Sequence, residues 1–259
     1  MGTKQEVIAE LFKRCKAKGT WEFDNDLVRQ VAASKGFANL FDATKIDHSA
    51  LLPPELRRED YFFVHLGAGG KHRFVKGISI GFHTFEKILD SEVIDWKYRQ
   101  SILNELDTSE SNILSVASNQ RVIHDFLYND IVASPKVYNA RRTKRSIEYR
   151  IGTQRIRATN LQMEIDLTME LDGVVTVFEG KNGTPEDFAV YQLFHPFKYY
   201  KSIISELGLA IRMVTGCYIL RERRQDRSVL RLYNYTFDDE DDMGSIRLLK
   251  KSQYNLIKR

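Results

Sequence analysis

From Leu161 to Leu171 apolar and polar side chains alternate without a break: Leu161, Met163, Ile165, Leu167, Met169 and Leu171 against Gln162, Glu164, Asp166, Thr168 and Glu170. Alternation of that length specifies a half-buried β-strand, because successive side chains leave a strand on opposite faces. Asp172-Gly173 follows, a pair suited to the positive φ angles of a two-residue type I′ turn. Val174 to Lys181 then returns as the partner strand. A two-residue turn fixes the register: Leu171 stands across from Val174, Asp166 across from Glu179, and Glu164 across from Lys181. Facing β-carbons lie about 4.5–5.5 Å apart, so two carboxylates and a lysine converge on one face. Val175 and Val177 share that face while Phe178 takes the other, which predicts a strand inside the sheet rather than at its edge. A salt-bridge ladder accounts for Glu164 and Lys181. It leaves Asp166 against Glu179, a like-charge pair that calls for a cation or a proton between them. Such a site suits a hard divalent cation with positions left for water and a phosphate oxygen.

The flanking pattern predicts a helix over about 116–129, a strand over 146–151, the strand pair itself, a helix from 185 to 206, and strands over 210–221 and 229–237. Thr184-Pro185-Glu186-Asp187 has the hydroxyl, proline and acidic residues of a helix start. Pro196 is expected to kink or restart that helix. Its aromatic residues, Phe188 to Tyr200, fall at the spacing of a core-facing side.

An aspartate followed across a strand pair by Glu-x-Lys resembles the PD-(D/E)xK nuclease superfamily, type II restriction endonucleases in particular. The matching residues are Ile165-Asp166 and Glu179-Gly180-Lys181, with twelve residues between Asp166 and Glu179. The order helix, three strands, helix, strand over roughly 115–220 is similar to that family's core; Ile165 stands where the motif has proline. The resemblance implies an α/β (mixed α+β) fold, a central mixed β-sheet flanked by helices. It implies that Asp166 and Glu179 bind Mg²⁺, with the Gly180 carbonyl as a further ligand. Lys181 would orient or help deprotonate the attacking water. Glu164 is either a second-sphere residue or the partner of Lys181, and Gln192 stands where some branches place a glutamine near the metal. The implied activity is magnesium-dependent, sequence-specific hydrolysis of double-stranded DNA that leaves 5′-phosphates, by a homodimer if the target is palindromic. A repair, recombination or structure-selective nuclease on the same core is the alternative. A non-catalytic DNA-binding regulator is a third reading, against which the intact Asp166, Glu179 and Lys181 argue.

Charge distribution bears on the partner. The net charge is only +4, but residues 136–160 hold eight basic side chains against Glu148 alone. Arg141, Arg142, Lys144, Arg145, Arg155 and Arg157 are accordingly the expected DNA-binding residues. A second group, Arg221, Arg223, Arg224, Arg227 and Arg231, is diluted by Glu222 and Asp226 and reads as ordinary surface, and Asp238 to Asp242 read as a solvated acidic patch.

The N-terminal region is read as helical, with Val7, Ile8, Leu11, Phe12 and Cys15 at helical spacing and Gly19 as the stop. Asp24 or Asn25 caps a second helix that carries Leu27, Val28 and Val31 and ends near Gly36. A short apolar stretch, Phe37 to Phe41, precedes Pro53-Pro54. A hairpin over Tyr61–Leu66 and Arg73–Val75 turns through Gly67-Ala68-Gly69-Gly70, which lacks the spacing of a nucleotide-binding loop. Helices followed by a hairpin are compatible with a winged-helix-like DNA reader and equally with a plain small core. The polar run Thr108-Ser109-Glu110-Ser111-Asn112 divides the chain into an N-terminal region (1–110) and a nuclease domain (111–259). Six scattered histidines show no paired metal spacing and are expected to be structural. No apolar run reaches the roughly 18 residues of a membrane span. Two distant cysteines and the absence of a signal-peptide core suit a cytoplasmic setting.

Overall fold

The computed structural model describes residues 3–40, 42–99, 101–102, 110–223 and 228–259, the side chains of Glu110 and Ser111 excepted. Phe41, Thr108-Ser109, Arg224, Asp226 and Arg227, invoked above, lie outside these. The N-terminal region forms where expected. Helix α1 (Lys4–Lys18) buries Val7, Ile8, Leu11, Phe12 and Cys15, starts on a Thr3/Glu6 capping box and stops at left-handed Gly19. Strand β1 (Glu22–Phe23) leads to α2 (Asn25–Ser34), capped by the Asp24 carboxylate, which accepts from the Leu27 N–H. After α3 (Pro54–Arg58) come β2 (Tyr61–His65) and β3 (His72–Lys76), and the three strands make a small antiparallel sheet in the order β1-β3-β2. A short α4 (Ile78–Gly81) and β4 (Phe82–Thr84) lead out of this unit to β5 (Val93–Tyr98).

The mixed sheet expected from the sequence is present. It has seven strands in the order β5-β12-β11-β10-β8-β7-β6: β6 (Lys136–Ile151), β7 (Gln154–Leu171), β8 (Val174–Asn182), β10 (Met213–Arg223), β11 (Ser228–Phe237) and β12 (Ile246–Lys258) join β5. Strand β8 is internal, antiparallel to β7 and parallel to β10, as its two apolar faces predict. Asp172 and Gly173 both take positive φ, and the ladder Leu171–Val174 to Leu167–Phe178 has the expected register. Edge strand β5 lies ahead of residue 110, so the large sheet draws on residues from both sides of the 108–112 run.

The sheet separates two apolar cores. One face packs on α7 (Tyr191–Leu207) and the N-terminal unit, and includes Val175 and Val177; the other packs on α5 (Glu110–Asn119) and α6 (Val122–Tyr128), and includes Phe178. Three local expectations are corrected. The helix expected over 116–129 starts at Glu110 and is divided by Arg121, whose φ of 61° interrupts α-helical geometry. The segment expected to start a helix at Thr184 instead gives strand β9 (Asp187–Ala189), paired with β4. The Asp187 carboxylate accepts from the N–H and hydroxyl of Ser49 rather than capping its own helix, so a long-range partner outcompetes a local one. Helix α7 passes through Pro196 without restarting; Pro196 is buried in its second turn, where it removes one N–H and leaves the rest of the ladder.

Candidate active site

Strands β7 and β8 pair from the turn only as far as Leu167 and Phe178. Beyond that point β8 stays with β10, while β7 continues against β6 toward the N-terminal unit. Asp166 and Glu179 are the first residues past the last rung. The parting of the strands opens a cleft of about 370 Å³ whose lining includes Asp166, Glu179, Lys181, Gln192, His65 and Lys45. The three motif residues are thus brought together, with the carboxylates at the mouth of a fork rather than facing each other within a ladder.

Glu179 is strongly perturbed. Burial, followed by the Asp166 charge, pushes its carboxyl up to about 8, against the lowering effect of Lys181. The Lys181 ammonium lies 3.1 Å from Glu179 Oε1, both side chains being about one-eighth exposed. Gln192, on the first turn of α7, donates from Nε2 to Glu179 Oε1 (3.2 Å) and to Asp47 Oδ1 (3.3 Å), and its Oε1 accepts from the Tyr218 hydroxyl at 3.2 Å. Tyr218 sits beside Glu179 on β10. The contact with the Asp47 carboxylate, which accepts, and that with the Tyr218 hydroxyl on the other side together fix the orientation of this amide.

Asp47 and Lys45 are contributions that sequence reasoning missed. They lie on a strap, residues 45–49, bound to the core at several points. The Ala189 N–H donates to the Asp47 carbonyl at 2.8 Å, the Tyr191 hydroxyl to the Ile46 carbonyl at 3.4 Å, and Ser49 to Asp187. The strap has neither period nor motif, and its partners are some 140 positions away; no local signal marks it.

Glu164 does not meet Lys181. The ladder has ended before that pair, and Glu164, well exposed, accepts from the Arg142 guanidinium at 3.2 Å. Most of the expected DNA-binding arginines are likewise occupied. Arg145 pairs with Glu206, Arg155 (2.6 Å) and Arg157 both pair with Glu148, and neighbouring Arg150 pairs with Asp239 at 2.7 Å. Arg141 donates to the Tyr200 hydroxyl (2.8 Å) and lies over the rings of Tyr138, Tyr199 and Tyr200. Lys144 is exposed on β6. The acidic run is exposed, as expected, and is also paired: Asp238 binds Arg247, Asp241 binds Lys198, and Glu240 lies 3.4 Å from Lys201. Arg221, expected at the surface, is buried and donates to Asn112 Oδ1 at 2.7 Å.

The histidines around the cleft are neutral by environment. Burial first, then His65, presses His195 down to about 3, and its Nε2 lies 3.3 Å from the Tyr149 hydroxyl. The tip of the β2–β3 hairpin, where a winged-helix reader carries its wing, is seated on β7: Gly67 bridges to Thr159, whose N–H donates to the Leu66 carbonyl at 2.9 Å. No helix among the described residues is long and apolar enough to cross a membrane.

No curated protein and no solved structure matches the chain. A family model described as a domain of unknown function, DUF6997, matches residues 78–255, which hold Asp166, Glu179, Lys181 and Gln192 but not the strap. With well over half of its length matched, this chain belongs to the DUF6997 family.

Proposed function

We propose that this protein is a magnesium-dependent endonuclease of the PD-(D/E)xK kind that hydrolyses double-stranded DNA, with type II restriction as its role. The observation that carries the reading is Glu179: a carboxyl on an internal strand just past its last rung with β7, raised to about 8 by burial and by Asp166, with an ammonium 3.1 Å away. Strongly perturbed, mutually opposed groups in a cleft are the mark of a working site more often than of a scaffold. The donor set fits magnesium. Two carboxylates and the Gly180 carbonyl suffice for an ion that keeps several waters and takes other ligands from a substrate phosphate.

Asp166 and Glu179 would hold the ion. When bound, it supplies Lewis-acid stabilisation of the phosphate and lowers the pKa of a coordinated water. Lys181 would donate to that water or to a non-bridging phosphate oxygen and stabilise the charge developing there, in a cleft where water screens little. Gln192, held by Tyr218, keeps the Glu179 carboxylate from turning away. A palindromic target would be read by a twofold dimer.

Incubation of the purified protein with phage DNA and Mg²⁺, with EDTA as control, tests the reading. Glu179→Ala and Lys181→Ala are each expected to lower cleavage by at least ~100-fold while the melting temperature is kept. Discrete fragments mark a sequence-specific enzyme and a smear a nonspecific nuclease. Full activity of Glu179→Ala overturns the site.

A further inference from the structure

We propose that the N-terminal unit forms one wall of the substrate path, and that a DNA strand runs from the carboxylate centre along the seam between this unit and β7, its phosphates on Lys45, Lys71 and Arg29. The inference rests on the nuclease reading for its direction of travel, but its evidence lies elsewhere in the molecule. A second cavity, of about 390 Å³, adjoins the cleft and shares His65 and Gln162 with it. It reaches Asn25 and Arg29 on α2 and Lys71 after the hairpin turn, so the two cavities are neighbours that meet at His65 and Gln162.

Charge identifies the occupant. No carboxylate is among the described residues lining the second cavity, whereas Arg29 and Lys71 are, and Lys45 lines the neighbouring cleft. The side chains of Lys45 and Lys71 are exposed and make no hydrogen bond or ion pair among the described residues. Among the described residues Arg29 is held only by Asp26 three residues away, in an exposed pair of the kind that contributes little. A phosphate can displace such a partner. The arginines of β6 and β7 would each have to give up a carboxylate or, for Arg141, a set of aromatic rings. Free ammonium groups release counterions to a polyanion; paired ones have already done so internally.

His72, 2% exposed and stacked on Phe23 at 4.8 Å, is among the residues lining the second cavity. The wall is also built rather than incidental. Gly67 lies so close to β7 that a β-carbon there would fall 2.3 Å from the Thr159 carbonyl oxygen.

Fluorescence anisotropy with a short labelled DNA duplex in EDTA, titrated with salt, separates this proposal from the catalytic one. Lys45→Ala/Lys71→Ala is expected to weaken binding by roughly tenfold and to reduce the slope of log K against log salt by about 2, one for each lost phosphate contact. Arg155→Ala, which removes a cation already paired with Glu148, is expected to leave the slope unchanged. An unchanged slope in the double lysine variant, at an unchanged melting temperature, overturns the groove whatever the cleavage assay gives. Wild-type binding with the expected slopes but no Mg²⁺-dependent cleavage supports the groove and overturns the nuclease reading. Failure of the wild type to bind DNA overturns both.

Discussion

Glu179 ties function to stability at the level of a single proton. Its folded-state pKa of about 8 exceeds the 4.5 of an ordinary glutamate, so between these values the folded protein binds more proton than the unfolded one. Stability of the metal-free protein therefore falls as pH rises through that window, by at most about 1.4 kcal/mol per pH unit. Glu179→Gln removes the titration while preserving the amide-like hydrogen bonding. Urea denaturation in EDTA is expected to show the variant gaining on the wild type steadily from about pH 5 to about pH 9; parallel curves would mean that Glu179 does not carry the slope. Single residues also show what charge counting leaves out. Within 136–160 Glu148 is the one acid; in the fold Arg142, Arg145 and Arg150 meet Glu164, Glu206 and Asp239 from outside that window. A window along the chain sees cations and misses the carboxylates that neutralise them.

Among the elements, the hairpin tip seated on β7 helps to line the second cavity. Gly67 has a φ of 86° and lies against the Thr159 carbonyl and the Leu161 amide, so Gly67→Ala is both strained and overpacked. A loss of about 1–3 kcal/mol is expected, read from the denaturant midpoint; a loss below ~0.5 kcal/mol would mean that the tip is not held there. The β7–β8 hairpin was legible because its two signals, a period of two and an Asp-Gly turn, are local and agree. The first ten residues of β6 were not, since an edge strand exposed on both faces from Lys136 to Ala140 carries no apolar alternation. Asp187 illustrates a third case, a residue with good local credentials as a helix starter that long-range bonds to Ser49 place elsewhere. The motif residues and Gln192 could be placed from sequence because strand register and helix order are short-range properties. Asp47 and Lys45 could not, because only tertiary folding brings the strap to α7.

At the scale of the whole molecule, the N-terminal unit and the sheet share one apolar core, in which Val7, Leu11 and Phe74 belong with Tyr149, Phe194 and Tyr235. Continuity of that kind predicts one cooperative transition rather than two. The two tryptophans allow a direct check, since Trp21 reports on the N-terminal unit and Trp96 on edge strand β5. Trp21→Phe and Trp96→Phe are expected to leave single-tryptophan proteins whose fluorescence midpoints each coincide with that variant's own circular-dichroism midpoint. Separated midpoints would mark two units that unfold independently. The division of labour across the cleft reaches beyond stability. The carboxylates and Lys181 lie within the family-matched stretch, while Lys45 and Asp47 precede it. On the proposed reading, what is done to a substrate and what admits it would lie in different stretches of one chain, tied to each other by the core they share.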